Sequence, residues 1–285
     1  MAYTTIDDPT VYFNTVLYTG NYSTNAITGV GFQPDLVWIK SRGTAGENHY
    51  FFDAIRGATN YIHSDTTAAQ SSNAATLTTF GSDGFTVGAN NSVNKSSDPL
   101  VSWNWKANGS GAANTAGSIN TTKTSAETTS GCSIITYTGN GSSGATIGHG
   151  MGIKPSMILV KELAGGNDWI VYTQALTANK ILYLNTSGGE NDNSVFFNDV
   201  EPTTSLITLG SIGATNGNGV AMIAYCFSDV KGFSKQGSYL GNGSTDGTFV
   251  YTGFSPACVI MKCSSSGSTP WLIWDNKRPG YNVTN

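Results

Sequence analysis

Two stretches of the chain alternate between large apolar residues and polar or small ones. Val101, Trp103 and Trp105 alternate with Ser102, Asn104 and Lys106, and Ile223, Tyr225 and Phe227 alternate with Ala224, Cys226 and Ser228. A period of two is typical of a β-strand, because successive side chains point to opposite faces of the sheet. Each stretch therefore predicts a strand whose aromatic side chains lie on one buried face.

A four-residue motif occurs three times along the chain. Tyr18-Thr19-Gly20-Asn21 recurs as Tyr137-Thr138-Gly139-Asn140 and, with one change, as Tyr239-Leu240-Gly241-Asn242. Each copy is followed by a Gly-apolar-x-Pro turn, at 31–34, 152–155 and 253–256, and then by an apolar strand that ends in Lys40, Lys161 or Lys262. Because the spacing from the proline to the lysine is six residues in all three copies, we interpret the chain as three repeated modules.

The second parts of the first two modules also match. Phe85-Thr86-Val87-Gly88 corresponds to Ile207-Thr208-Leu209-Gly210, and thirteen residues separate that glycine from Val101 or Ile223 in both modules. Short strands separated by Gly, Asn, Asp and Ser clusters favour an all-β fold of tandem β-sandwich, jelly-roll-like modules. Only 53–57 and 174–180 are compatible with a short helical turn.

These repeats divide the chain into segments. We predict an N-terminal arm (1–16), module 1 (17–106), a Gly/Ser/Thr-rich linker (107–131), module 2 (132–228), a short junction (229–237) and the first half of module 3 (238–285). Linker composition predicts flexibility, so limited proteolysis is expected to cut first within 107–131.

The third module is incomplete by comparison with the other two. The repeated lysine and the last aromatic residue of the closing strand, Lys40 with Trp105 and Lys161 with Phe227, are almost equally spaced in modules 1 and 2. The sequence ends at Asn285, soon after Lys262 and well before a closing strand at that spacing. Two interpretations stay open. Either the natural polypeptide continues, which we favour, or a neighbouring subunit supplies the missing strands.

Composition narrows the class of protein. Charged residues make up 11% of the chain, against a usual value of about 25%, and glycine is abundant at 35 residues. A net charge of −4 offers no basic surface for phosphates, so we expect no nucleic-acid partner. The N-terminal residues do not resemble a signal peptide, and the longest apolar run, 220–227, is too short for membrane insertion.

Four cysteines, Cys132, Cys226, Cys258 and Cys263, are irregularly spaced in apolar segments and form no CxxC motif. We therefore expect buried free thiols in a protein made in a reducing cytoplasm, with neither a disulfide framework nor a zinc site.

Motifs that could carry chemistry have weak support. The GxGxxG string at 139–144 is not followed by a helix pattern, so a loop is favoured over a phosphate site. The three histidines, His49, His63 and His149, lack ligand spacing, and the acidic loop 190–194 lacks the other positions of an EF-hand. We therefore predict no catalytic, metal-binding or cofactor-binding residues and no cofactor; ligand-binding residues stay unknown.

Two further sets of residues are candidates for glycan chemistry. Asp53, Asp83 and Glu162 are candidate acids for glycan hydrolysis, but nothing in the sequence places two of them at a catalytic separation. Exposed aromatic residues could stack on sugar rings. Alternation predicts burial for Trp38, Trp103 and Trp105, whereas the sequence leaves Tyr50, Trp271 and Trp274 open, with the core favoured.

Several strings resemble a repeated domain in virion proteins of marine tailed phages, including cyanophages. They are GFQPDLVWIKSRG at 31–43, SDGFTVG at 82–88, YCFSDVKGFSKQGSYLGNGSTDGTFVYTGF at 225–254, and TTIDDP at 4–9 with YFNTVLYTGN at 12–21. The resemblance spans nearly the whole chain. It implies a structural or tail-fibre-like protein of the virion surface and no catalytic motif.

The leading hypothesis is therefore a non-enzymatic structural protein of a tailed-phage virion, displayed as a fibre, spike or capsid decoration. A glycan-binding host-recognition adhesin is the alternative, and a depolymerase ranks third. The expected partners are further copies of the chain, a trimer if it forms a fibre, together with other virion proteins and, for an adhesin, a host surface glycan.

Overall fold

A computed structural model describes residues 4–278, and nearly all of their regular structure is β-strand. The predicted all-β, sandwich-like fold is confirmed. Strands are antiparallel throughout, as expected for short strands joined by Gly-rich and Asn-rich turns.

Module 1 is built from a six-stranded sheet and a three-stranded sheet that pack face to face. Its elements are a 3-10 turn (Pro9–Val11), β1 (Phe13–Thr19), β2 (Asn25–Ile27), β3 (Leu36–Ser41), β4 (Tyr50–Asp53), β5 (Asn60–His63), β6 (Ser71–Ser72), β7 (Leu77–Gly81), β8 (Gly84–Val87), helix α1 (Asn91–Asn94) and β9 (Pro99–Trp105). The large sheet has the order β1-β9-β3-β4-β5-β6 and the small sheet β2-β8-β7. Apolar side chains from both sheets, such as Val37, Leu77 and Val87, form the core between them.

Module 2 repeats this plan with one more strand in its large sheet and one fewer in its small sheet. Its elements are β10 (Lys123–Glu127), β11 (Cys132–Thr138), β12 (Thr146–Gly148), β13 (Pro155–Glu162), β14 (Ile170–Thr173), β15 (Lys180–Tyr183), β16 (Asn191–Asp192), β17 (Leu206–Thr208), helix α2 (Gly213–Asn216) and β18 (Ala221–Ser228). The large sheet has the order β10-β11-β18-β13-β14-β15-β16, and β12 pairs with β17 in the small sheet. The equivalents of β3 and β4 in module 3 are β19 (Cys258–Met261) and β20 (Leu272–Asp275), which pair with each other.

The stretch 107–131, for which composition predicts a linker, is a folded part of module 2. Strand β10 pairs with β11 along its whole length, Ala112 pairs with Thr124, and Ile119 lies in the core of module 2. Small polar side chains are compatible with this because backbone hydrogen bonds, which need no particular side chain, hold the segment in place. One predicted boundary also differs, because β1 begins at Phe13, inside the predicted arm. Among the described residues the α-helices are α1 and α2, and the segments 53–57 and 174–180 contain turns instead.

Limited proteolysis with a non-specific protease is accordingly expected to cut first within 238–254. Among the described residues this segment contains no strand or helix, and Leu240 and Phe249 are 90% and 85% exposed. An extended, exposed backbone fits a protease cleft more readily than a paired strand. The first fragment should be identified by mass spectrometry, and an initial cut within 107–131 would contradict the assignment of that segment to the folded sheet.

Both faces of the large sheets are covered, which the alternation of β9 and β18 did not predict. In β9, Trp103 and Ser102 are both fully buried although they point to opposite faces. One face of each large sheet covers its own small sheet, and the aromatic face packs against the neighbouring modules. The modules are therefore joined by a shared core and not by a flexible tether.

Candidate functional site

The shared core between the modules brings together the same positions of each repeat. Leu36 and Trp38 of β3, Leu159 of β13, and Ile260 of β19 all contribute to it, and so do Phe51, Val171 and Ile273 of the following strands. The rings of Trp38 and Trp103 lie 5.3 Å apart in an edge-to-face arrangement that aromatic pairs prefer. The residues that repeat in sequence thus also meet in space.

A buried ion pair connects module 1 to module 2. Arg56 Nε donates to Asp53 Oδ2 over 2.6 Å, and the Tyr225 hydroxyl of module 2 donates to the same oxygen over 2.7 Å. The side chains of Asp53 and Arg56 are 0% and 3% exposed. Arg56 also donates to the Phe51 carbonyl, so its charge is enclosed by acceptors.

Burial and charge act in opposite directions on this ion pair. Burial lowers the pKa of Arg56, but charge and hydrogen bonds from Asp53 and Tyr225 together outweigh it and leave that pKa above its ordinary value. Burial raises the pKa of the Tyr225 hydroxyl well above its ordinary value, so the hydroxyl stays protonated and serves as the donor. The three groups form a structural contact between modules 1 and 2.

An equivalent ion pair connects module 3 to module 1. Arg278 Nε donates to Asp275 Oδ2 over 2.6 Å, and Trp103 Nε1 donates to that oxygen over 3.1 Å. Trp103 and Tyr225 occupy the same position of the closing strand, because each is the cross-strand partner of the central residue of β3 or β13. Burial raises the pKa of Asp275, but hydrogen bonds and charge from Arg278 outweigh it and hold that pKa below its ordinary value.

A second set of contacts also repeats, this time between a loop of one module and the module that follows it in the chain. Module 2 touches module 1 where Gln70 N donates to the Leu163 carbonyl and Lys161 Nζ donates to the Thr67 carbonyl. Module 3 touches module 2 at the equivalent positions, since Glu190 N donates to the Ser264 carbonyl and Lys262 Nζ donates to the Ser187 carbonyl.

Two tryptophans make a third repeated contact. Trp169 Nε1 of module 2 donates to the His63 carbonyl of module 1, and Trp271 Nε1 of module 3 donates to the Tyr183 carbonyl of module 2, both over 2.8 Å. Each of these contacts joins different surfaces of two modules, so it is heterologous, and a series of such contacts closes into a ring when the rotation between modules permits. The ring of three modules closes here because Asp275 of module 3 contacts module 1.

A cavity of about 330 Å³ lies where the three modules meet. Equivalent positions line it from two modules at a time: Trp38 and Ile260, and Asp65 and Asn185. His49 faces the cavity from module 1 and accepts a hydrogen bond at Nδ1 from Trp38 Nε1 over 2.9 Å. The cavity wall therefore includes residues that also form contacts between modules, such as Ser187 and Trp271.

Burial lowers the pKa of His49 to about 4; Lys40 and Arg278 act in the same direction and Asp65 opposes them. The hydrogen bond from Trp38 also requires a neutral Nδ1. In the unfolded chain the pKa is about 6.5, so between pH 6.5 and 4 the unfolded state binds a proton that the folded state does not. Stability is then fully present above pH 6.5 and is lost as the pH falls to 4.

We therefore expect the free energy of unfolding to fall by up to about 3 kcal/mol through His49 over this pH range, from about 1.4 kcal/mol per pKa unit. Urea denaturation at several pH values measures it. His49→Gln keeps an acceptor for Trp38 but does not titrate, and its loss of stability on acidification should be smaller than that of the wild type. Equal losses in the two proteins would rule out His49 as a source. His63 and His149 also have lowered pKa values because of burial and remain present in both proteins.

The repeated Tyr-Thr-Gly-Asn motif joins the first part of a module to its short helix. The Tyr18 hydroxyl donates to the Val93 carbonyl, and Asn94 Nδ2 donates to Asn21 Oδ1 and to the Ser23 carbonyl. In module 2 the Tyr137 hydroxyl donates to the Thr215 carbonyl, and Asn216 Nδ2 donates to Asn140 Oδ1 and to the Ser142 carbonyl.

The glycine of the motif is required by close packing. A Cβ added at Gly20 would lie 2.0 Å from the Lys95 carbonyl oxygen, and one at Gly139 would lie 2.4 Å from the Gly217 carbonyl oxygen. The motif is visible in the sequence, but its partners, Asn94 and Asn216, are not, because asparagine is too common in this chain to stand out.

The three candidate acids lie in different places. Asp53 is in the ion pair described above, Asp83 accepts from the backbone amides of Gly29 and Gly31, and Glu162 accepts from the amide and side chain of Asn167. Each carboxylate supports a turn or a contact between modules. The 139–144 string forms the loop between β11 and β12, and Glu190 pairs with Lys180.

The predicted burial of aromatic and cysteine side chains is confirmed for some residues and wrong for others. Trp38 and Trp103 are buried as predicted, and so is Tyr50, whereas Trp105 and Trp271 are half-buried and Trp274 is 43% exposed. Burial of the thiols holds for Cys132 and Cys226; Cys258 is half-buried, and the prediction is wrong for Cys263, which is exposed. Cys263 follows β19 in the half-module, where less of the chain covers it.

Within residues 4–278 no group of three or more His, Cys, Asp or Glu side chains is arranged to hold a metal ion. In the same part of the chain, no helix has the length and apolar character needed to cross a membrane.

Together, the fold and the contacts between modules define a tandem-repeat, all-β protein whose modules share a core. The chain belongs to a family described as a domain of unknown function (DUF7483), whose model matches residues 8–285. Searches of curated proteins and of solved structures returned no match.

Proposed function

We propose that this protein is a non-enzymatic structural component of the surface of a tailed-phage virion, where it serves as a fibre, spike or capsid decoration. The observation that carries the proposal is that polar and aromatic residues in the core shared by the modules form contacts between modules. Asp53, Arg56, Tyr225, Asp275 and Trp103 are committed to contacts between modules. A protein displayed outside a particle benefits from such a joint because it resists local opening.

The resemblance to phage virion proteins supports the same proposal. Two of the strings that carry it contain strands of module 1: 31–43 contains β3 and 82–88 contains β8. The string 225–254 begins in β18 and continues through the exposed segment 238–254. The resemblance therefore includes strands of the sheets as well as a connecting segment.

The proposal is tested on virions of the phage that encodes the chain. Particles purified through a density gradient should contain the protein when analysed by mass spectrometry, and gold-labelled antibody should place it on the tail or on the capsid by electron microscopy. Recovery of the protein only from the soluble fraction of the lysate would overturn the proposal. Release of reducing sugar from host polysaccharide by the pure protein would overturn its non-enzymatic part.

A further inference from the structure

The described part of module 3 exposes surfaces that modules 1 and 2 bury. Tyr239 of its Tyr-Leu-Gly-Asn motif is 49% exposed, whereas the equivalent Tyr18 is half-buried and Tyr137 is 1% exposed. Around Gly241 there is open space within 4 Å of the Cβ position, where Gly20 and Gly139 meet backbone atoms of their own modules. The motif is thus present in module 3 without the helix segment that it contacts elsewhere in the described chain.

Strand β20 shows the same difference on its outer face. Trp274 is 43% exposed, whereas Phe52 and Tyr172, which occupy the equivalent positions of β4 and β14, are fully buried. Those two residues are covered in part by the small sheet of their own module. In module 3, within the described residues, the sheet that would cover Trp274 is missing.

The edges of this two-stranded sheet are also open. In module 1, β3 pairs with β9 on one side and β4 pairs with β5 on the other. Among residues 4–278, β19 and β20 pair only with each other. Unpaired strand edges present a row of backbone donors and acceptors that bind another strand readily.

Module 1 has an open side that faces this half-module. Lys161 and Lys262 each bind a loop carbonyl of the preceding module, but Lys40 Nζ donates to the Glu47 carbonyl of its own module. Lys40 and His49 line the cavity at the junction. In the other two interfaces the repeated lysine of one module contacts a loop of the preceding module. By the same arrangement, Lys40 of module 1 should contact a loop of module 3 equivalent to 66–70 and 186–190.

We propose that these two open surfaces bind one segment, the back half of a third repeat, carried in the same polypeptide after β20. Its closing strand would pair with β19 and its fifth strand with β20. Its short helix would present an asparagine to the 239–242 motif. Its Ser/Thr-rich loop would enter the cavity beside Lys40, so that the third interface of the ring would match the other two.

A count of halves identifies the source of this segment. Each module has a front half, up to the equivalent of β4, and a back half, from the equivalent of β5 to the closing strand. Residues 4–278 contain three front halves but two back halves. Both back halves are held by their own modules through Asn94 and Asn216. Copies of this part of the chain could exchange back halves, yet one front half per copy would always stay open. In modules 1 and 2 six residues connect the equivalents of β4 and β5, so a segment that follows β20 directly has the highest effective concentration.

The docking is tested by a graft in the full chain. Residues 54–106 of module 1 are appended after Asp275 in place of 276–285, and amide hydrogen exchange is followed in 239–254 and 272–275. We expect exchange in both stretches to slow by about tenfold or more, since paired and buried amides open rarely. A second graft built from 174–228 of module 2 guards against failure of one back half to fold. Unchanged exchange with both grafts would overturn the proposal.

A matched control separates specific docking from general coverage. The graft is repeated with the change equivalent to Asn94→Ala in the appended copy only, which should remove the slowing around Gly241. Equal slowing there would contradict the role given to the motif. For the source of the segment, intact-mass measurement on the protein isolated from its natural host should give a value above the 29.8 kDa of the present chain. A mass equal to that of the present chain would overturn the assignment to the same polypeptide.

Discussion

Replacement of Trp103 by alanine is expected to lower the free energy of unfolding by about 3–5 kcal/mol, the range for removal of a large aromatic residue from a packed interior. Trp103 is fully buried, packs against Trp38, and donates to Asp275 of module 3. The substitution therefore opens a cavity in the shared core and also leaves a buried carboxylate without one of its donors.

Chemical denaturation measures this effect, and Trp105→Ala serves as the control on the same strand. Trp105 is half-buried and lies at the edge of the shared core, so its loss should cost less than that of Trp103. A loss below about 1 kcal/mol for Trp103→Ala, outside the range for a packed aromatic residue, would show that the junction is not a packed core.

The second large effect is expected for Asp53→Ala. Arg56 is 3% exposed, and without Asp53 its charge stays buried beside the Tyr225 hydroxyl and backbone carbonyls. Breaking a buried ion pair from one side typically costs about 3–5 kcal/mol because an uncompensated charge remains. The double variant Asp53→Leu with Arg56→Met removes both charges and should recover much of that loss.

An exposed ion pair provides the control for this experiment. Lys235 pairs with Asp229 with 51% of its side chain exposed, and Lys235→Ala should change stability by less than about 1 kcal/mol. If Asp53→Ala costs no more than Lys235→Ala in the same denaturation assay, the contact between modules 1 and 2 does not depend on the ion pair.

Sequence reasoning succeeded where the pattern was local. The strands that end in Lys40, Lys161 and Lys262 were predicted from apolar runs bounded by a proline turn, and the structure has strands there. The closing strands β9 and β18 were predicted from their period of two. In both cases the side chains that determine the strand are neighbours in sequence, so a short window contains the information.

The same reasoning failed where a contact partner lies far along the chain. Alternation shows that Trp103 and Tyr225 are buried, but it does not show which residues cover them. Their hydrogen-bond partners are 172 residues away in both cases. The strand β10 was missed because its composition, Lys-Thr-Ser-Ala-Glu, has little hydrophobic content. It is held by pairing with β11, an interaction that depends on the backbone and leaves no pattern in the side chains.

The one-directional contacts also constrain how such a chain can evolve. At the positions equivalent to Asp53 and Arg56, module 2 has Thr173 and Leu176. The contact of module 2 with the next module therefore differs from the contact of module 1 with module 2. Each module is therefore matched to its neighbour's surface and not only to its own interior. A crossover anywhere between Asp53 and Asp275 would separate Asp53 from Tyr225, Trp103 from Asp275, or both pairs. Recombination between relatives should therefore be viable mainly outside this range, where both sides of each contact come from one parent.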